Sequence, residues 1–221
     1  MKKVPFVAAW AIAFAFVEAA VVEYLRALYY PLERGGFQFP LQTWEDLCAM
    51  GWEHLRRLYI ELGREAATLV MLATLGGAVG GNRREAWAHF MIAFGVWDIF
   101  YYVWLKLFLD WPAHLLTWDL LFLLPVPWVA PVLAPVIISL CLIGAGLTVL
   151  AYEQRERPLL ISWGEWGLIS AGGFVVILSF CLDAGNVLAG AMPRNFSWSL
   201  FLLGLATSVV TFARALYRNR Q

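Results

Sequence analysis

Six stretches of the chain are apolar over about twenty residues, the length a helix needs to cross the hydrocarbon core of a bilayer. They cover residues 4–24, 59–80, 86–109, 128–152, 164–183 and 197–216. The sequence is 62% hydrophobic and 14% charged, whereas an ordinary soluble domain carries about 25% charged residues. These features predict an all-α fold, a polytopic transmembrane helical bundle of six spans, forming a single integral membrane domain over residues 1–221. There is no internal repeat, linker or second domain. Lys2 and Lys3 precede the first stretch as in a signal peptide, but Glu18 interrupts it and no small-residue cleavage site follows, so it reads as an uncleaved first span.

Basic residues collect in cytoplasmic loops. Lys2, Lys3, Arg83, Arg84, Arg155, Arg157, Arg214, Arg218 and Arg220 fall on one side of a six-span topology, and Arg194 falls on the other. The expected location is the inner (plasma) membrane with both termini cytoplasmic.

Two outer segments are more than loops. From Thr43, apolar Trp44, Leu47, Trp52, Leu55 and Leu58 recur at helical spacing opposite Glu45, Asp46, Glu53, Arg56 and Arg57, which predicts an amphipathic surface helix over about 43–58, capped by Thr43. Residues 111–127 are apolar but Pro-bounded and too short to cross while 128–152 does. They predict an outer re-entrant or interfacial hairpin that closes over the space between the first three spans and carries Asp119 toward the level of the other acids. Non-helical backbone at that depth is tolerated only when buried in protein or lining a cavity.

Ionisable side chains inside spans are costly and mark function or internal pairing. Asp98 lies mid-span, roughly 18 Å along the helix from Ala86, while Glu18 lies roughly 21 Å from Val4 and Glu65 roughly 9 Å from Tyr59 at 1.5 Å per residue. With the basic loops inside, these acids converge on one level in the outer half. Glu61, Glu65 and Thr68 share a helix face, with Arg64 one turn from Glu61; Glu61 reads as the interfacial partner of Arg64. Lys106 and Asp110 read as a snorkelling anchor pair, and Asp183 as a helix-end cap. The expected catalytic set is Asp98, Glu65 and Glu18, and the expected binding set is Arg64, Tyr101, Tyr102, Asp119, Trp97 and Trp118, with Trp111 and Trp128 as further aromatic wall. One guanidinium cannot hold three ionised carboxylates in a low-dielectric site, so one acid holds a proton or shares a cation. Asp98, the deepest, is the expected proton holder.

No resident metal or other cofactor is indicated. Di-metal carboxylate bundles use Glu-x-x-His pairs, absent here, and His54, His89 and His114 occupy unrelated positions. Oxygen-only binding of a hard cation by Glu18, Glu65, Asp98 and Asp119 is the weaker alternative. HExxH, GxSxG, Walker A and GxGxxG motifs are absent, as is a lysine in the last span for a retinal Schiff base. Cys48, Cys141 and Cys181 make neither a disulfide framework nor a CxxC pair, and no basic stripe suggests nucleic acid.

Three classes fit: an intramembrane acid–base enzyme or binding site for an apolar or lipid ligand, an accessory subunit of a larger membrane complex with partner subunits, and a proton-coupled transporter. The third is the least supported, because the acids stop at midplane and only Glu85 and Glu165 follow at the boundary. Membrane lipid is the expected environment and an apolar small molecule the expected ligand. A cavity shared by the acids distinguishes the first class from the second.

Overall fold

A computed structural model describes residues 1–29, 49, 51–155 and 159–219. Its order is α1 (Val4–Tyr29), α2 (Trp52–Val79), α3 (Arg83–Leu109), β1 (Trp118–Phe122), β2 (Trp128–Pro131), α4 (Leu133–Gln154), α5 (Trp163–Cys181), α6 (Ala184–Leu188) and α7 (Trp198–Arg218). Among the described residues six helices are long and apolar enough to cross a membrane, so the chain reads as a multi-pass membrane protein. One end of the bundle, here the termini end, carries the start of α1 and the end of α7; the opposite end carries the two-stranded hairpin.

Helix α3 is the hub, with α1, α2 and α4 packed on it. The α1 contact is a small-residue stripe, Ala11, Ala15 and Ala19, all fully buried, which lets the backbones approach as membrane helices do; Trp104 Nε1 donates across it to the Ile12 carbonyl at 3.1 Å. The α4 contact depends on Gly95, where an added Cβ would sit 2.5 Å from the Ser139 carbonyl oxygen. Helix starts are capped locally. Asn82 accepts from the amides of Arg84 and Glu85 at 2.9 and 3.0 Å, and Ser162 forms a reciprocal capping box with Glu165.

Helices α5 and α7 form a second packed pair. A Cβ on either Gly172 or Gly204 would meet the carbonyl oxygen of the other at 2.6 Å. Gly172→Leu therefore forces the pair apart and lowers stability by about 1–3 kcal/mol, read as a lower thermal midpoint in detergent. Gly173→Leu, where a Cβ meets nothing within 4 Å, leaves the pairing intact; equal losses in both variants would contradict this packing.

The α5–α7 pair joins the α3-centred group at two levels. At the hairpin end, Ala130 and Ala134 pack with Val176, Phe180 and Phe201. At the termini end, Leu159, Ile161, Phe212 and Leu216 pack into the α1–α3 core, while Arg218 bonds the Leu160 carbonyl at 2.7 Å and Glu165 at 2.8 Å. A cleft lies between these closures.

The structure corrects two boundaries. Residues 128–131 are the second strand, antiparallel to the first with Asp119 opposite Ala130, and the fourth span begins only at Leu133. Continuous apolar runs do not distinguish a strand from the start of a helix; Pro125, Pro127 and Pro131 around Trp128 and Val129 decide for the strand. The expected surface helix over 43–58 lies partly outside the described residues. From Trp52 onward it is the first part of α2, continuous with the span, because no breaker separates Leu58 from Tyr59.

Candidate functional site

A cavity of about 1300 Å³ runs along the bundle, from Arg57 at the hairpin end to Arg83 at the termini end. Its hairpin-end wall carries Glu18 and Arg26 from α1, Glu61, Arg64 and Glu65 from α2, Asp98, Tyr101 and Tyr102 from α3, and Asp119 from β1. The rest is mostly apolar, including Leu142, Ala145, Gly173, Ile177 and Val209 from the cleft between α4 and the α5–α7 pair.

Glu18 lies beside the last alanine of the α1 stripe, Ala19, and is 5% exposed. It forms an ion pair with Arg64 and accepts from the Thr68 hydroxyl at 2.6 Å. Arg64 also pairs with Glu61, three residues earlier on the same helix, so one guanidinium holds two carboxylates. Glu65 is on the same helix face but accepts from a different element, the Leu123 amide just after β1, at 2.9 Å. That bond ties the hairpin to α2.

Asp98 accepts from the Ser139 hydroxyl at 2.8 Å. Gly95, one turn earlier, makes this bond geometrically accessible by bringing the α4 backbone close. Asp119, 4% exposed, accepts from the Tyr102 hydroxyl at 2.9 Å and so ties the hairpin to α3. Arg26 lies over the Trp111 ring, 4.3 Å from its centroid. Trp97 stacks with Tyr101 at a centroid distance of 6.3 Å.

Asp119 lies outside the spans, and burial pushes its carboxyl up to about 6, against the opposing influence of Arg26, the Tyr102 hydroxyl and the Leu120 amide. A carboxyl with a higher pKa folded than unfolded holds its proton more tightly in the folded state. Its contribution is therefore most favourable below about pH 4 and is lost as pH rises toward about pH 6. Asp119→Asn should remove that part of the decline in thermal midpoint between these pH values; superimposable pH profiles of the two proteins would contradict the assignment.

Thus Glu18, Glu65, Asp98, Arg64, Tyr101, Tyr102, Asp119 and Trp97 all line one cavity. Trp118 does not: it packs edge-on against Phe196, with centroids 6.4 Å apart. Asp183 also lies elsewhere, accepting from the Asn186 side chain and the Arg194 amide. Lys106 pairs with Asp110 at 2.6 Å, and this ammonium holds the exposed Asp110 carboxyl below its ordinary range. Ser139 and the α5–α7 wall were not evident from sequence, since a lone serine and lipid-like side chains carry no local signal of what they face.

Among the described residues no group of His, Cys, Asp and Glu has the arrangement to hold a metal ion. Carboxyl and hydroxyl groups can exchange protons, and the mostly apolar remainder of the wall offers room for an apolar chain beside them. Comparison of the chain with protein-family models, curated proteins and solved structures finds no match.

Proposed function

We propose that this cavity binds an apolar or lipid-like ligand from the bilayer. Asp98, Glu65 and Glu18 serve as its acid–base groups, while Arg64, Tyr101, Tyr102, Asp119 and Trp97 orient the ligand. The observation that carries the reading is the meeting of carboxyl groups from α1, α2, α3 and β1 on one cavity whose remaining wall is mostly apolar. Unfilled interior volume costs stability, so a subunit serving only as a scaffold gains nothing from keeping this space beside buried charge. The test is native mass spectrometry with elemental analysis after purification in mild detergent. The expected result is a retained amphiphile that Gly173→Leu, which fills the cleft, displaces. A chain that carries no ligand and copurifies only with other subunits would favour the accessory role.

The hairpin end is proposed to face outward from the inner (plasma) membrane. Lys2, Lys3, Arg83, Arg84, Arg155, Arg214 and Arg218 lie at the opposite, termini end, as expected for cytoplasmic loops. Cysteines introduced near Arg155 should be shielded from a periplasmic label and those near Arg194 exposed; the reverse pattern would refute the orientation.

A further inference from the structure

The cavity has two chemically opposite ends. Its carboxylates, Glu18, Glu61, Glu65, Asp98 and Asp119, belong to the hairpin end, whereas the charged residues that line it toward the termini are Arg83 and Arg84. Arg83 and Asp98 lie on the same helix, roughly 22 Å apart along its axis at 1.5 Å per residue.

The described acids around Arg83 are engaged elsewhere. Glu85 accepts from the Gly81 amide at 2.7 Å. Glu153 accepts from the Asn82 side chain at 3.0 Å and pairs with Arg84 at 3.6 Å. Arg83 is exposed and takes part in no ion pair among the described residues. The amides of Arg84 and Glu85 are taken by Asn82, so the group left over at this mouth is a guanidinium and not a bare helix end.

Around that guanidinium the wall is apolar and open sideways. Trp87, Leu160 and Trp166 line the cavity here and are exposed, and tryptophan at the end of a span sits at headgroup level. Farther in, Phe90, Phe94 and Phe212 continue the lining. A guanidinium at the rim of an apolar groove complements the phosphate of an amphiphile, which it can hold through two parallel hydrogen bonds. The carboxylates at the opposite end repel the same group. We propose that the termini-end mouth holds the phosphate of an anionic membrane phospholipid. Arg83 is its main contact and Arg84 its support, and its chains lie in the termini half of the cleft between α4 and the α5–α7 pair. At about 1300 Å³ the cavity exceeds the roughly 300–1000 Å³ of a single-ligand pocket, so a lipid here leaves the carboxylate end to a second occupant. This rests on the reading of the cleft as an amphiphile site.

Dioleoylphosphatidylglycerol and dioleoylglycerol carry the same chains and differ at the headgroup. Each is presented to the whole protein in uncharged maltoside micelles at neutral pH; adducts are counted by native mass spectrometry and checked by thermal shift. The phospholipid should be retained over the diacylglycerol by about tenfold, the scale of a charge-assisted hydrogen bond. Arg83→Gln should bring the two close to equality. Arg214→Gln, at the same end but off the cavity wall, should leave the preference unchanged, and inorganic phosphate alone should give no thermal shift. Equal retention of the two lipids, a preference that survives Arg83→Gln, equal losses in both arginine variants, or stabilisation by inorganic phosphate matching the lipid's overturns the headgroup site. The amphiphile reading still stands in those cases if Gly173→Leu displaces either lipid. Retention of neither lipid, with Gly173→Leu changing nothing, overturns both.

Discussion

Arg64→Met should lower stability by about 3–5 kcal/mol, the scale of breaking a buried ion pair by removing one partner. Arg64 is the cation paired with Glu18, itself 5% exposed, and also holds Glu61. Without it both carboxylates stay on the cavity wall, and Glu18 keeps only the Thr68 hydroxyl among its observed donors. The cost arises from that stranded charge more than from the intrinsic value of the pair. Arg64→Met combined with Glu18→Gln should therefore recover much of the loss, because an amide is far cheaper to bury than an unpaired carboxylate. Unfolding in detergent across this double-mutant cycle measures the coupling, and additivity within about 0.5 kcal/mol would mean the residues are independent.

Asp98→Asn should leave the fold intact and reduce any proton-transfer activity by about 10²–10⁴-fold, the usual contribution of a positioned acid or base. The amide oxygen can still accept from Ser139, so the α3–α4 contact survives. On the proposed reading, what would be lost is the proton expected on a carboxyl without a cationic partner in a low-dielectric site. Infrared difference spectra over a pH series should show a protonated-carboxyl band in the unaltered protein that is missing from Asp98→Asn. Persistence of every such band would show that Asp98 is not the proton holder. Asp98→Leu removes the acceptor as well and leaves the Ser139 hydroxyl to find another partner, so it does not isolate the proton.

The spans were legible because twenty-residue apolar runs have few alternatives, and helical rise along each run supplied the depth expected of each acid. Arg64 was legible as a partner because it lies one turn from Glu61. Its pairing with Glu18, 46 positions away in the chain, depends on how α1 and α2 settle around α3, which local spacing does not encode. The hairpin was foreseeable from Pro112, Pro125 and Pro127, but its β form was not, since Trp128 and Val129 suit either a strand or an apolar helix start. Trp118 was misplaced for a related reason: an aromatic residue beside Asp119 looks like pocket wall until strand geometry directs it to Phe196. The cleft side of α5 and α7 was hidden because a side chain facing lipid and one facing a lipid-shaped cavity have the same chemistry.

Cryo-electron microscopy of the protein in lipid nanodiscs tests the central claim most directly. The account predicts elongated density between α4 and the α5–α7 pair, with its polar end beside Asp98 and Glu65 and the hairpin closing over it through Asp119 to Tyr102 and Leu123 to Glu65. A cleft collapsed by direct α4–α5 packing, or acids distributed over separate lipid-facing surfaces, would contradict it.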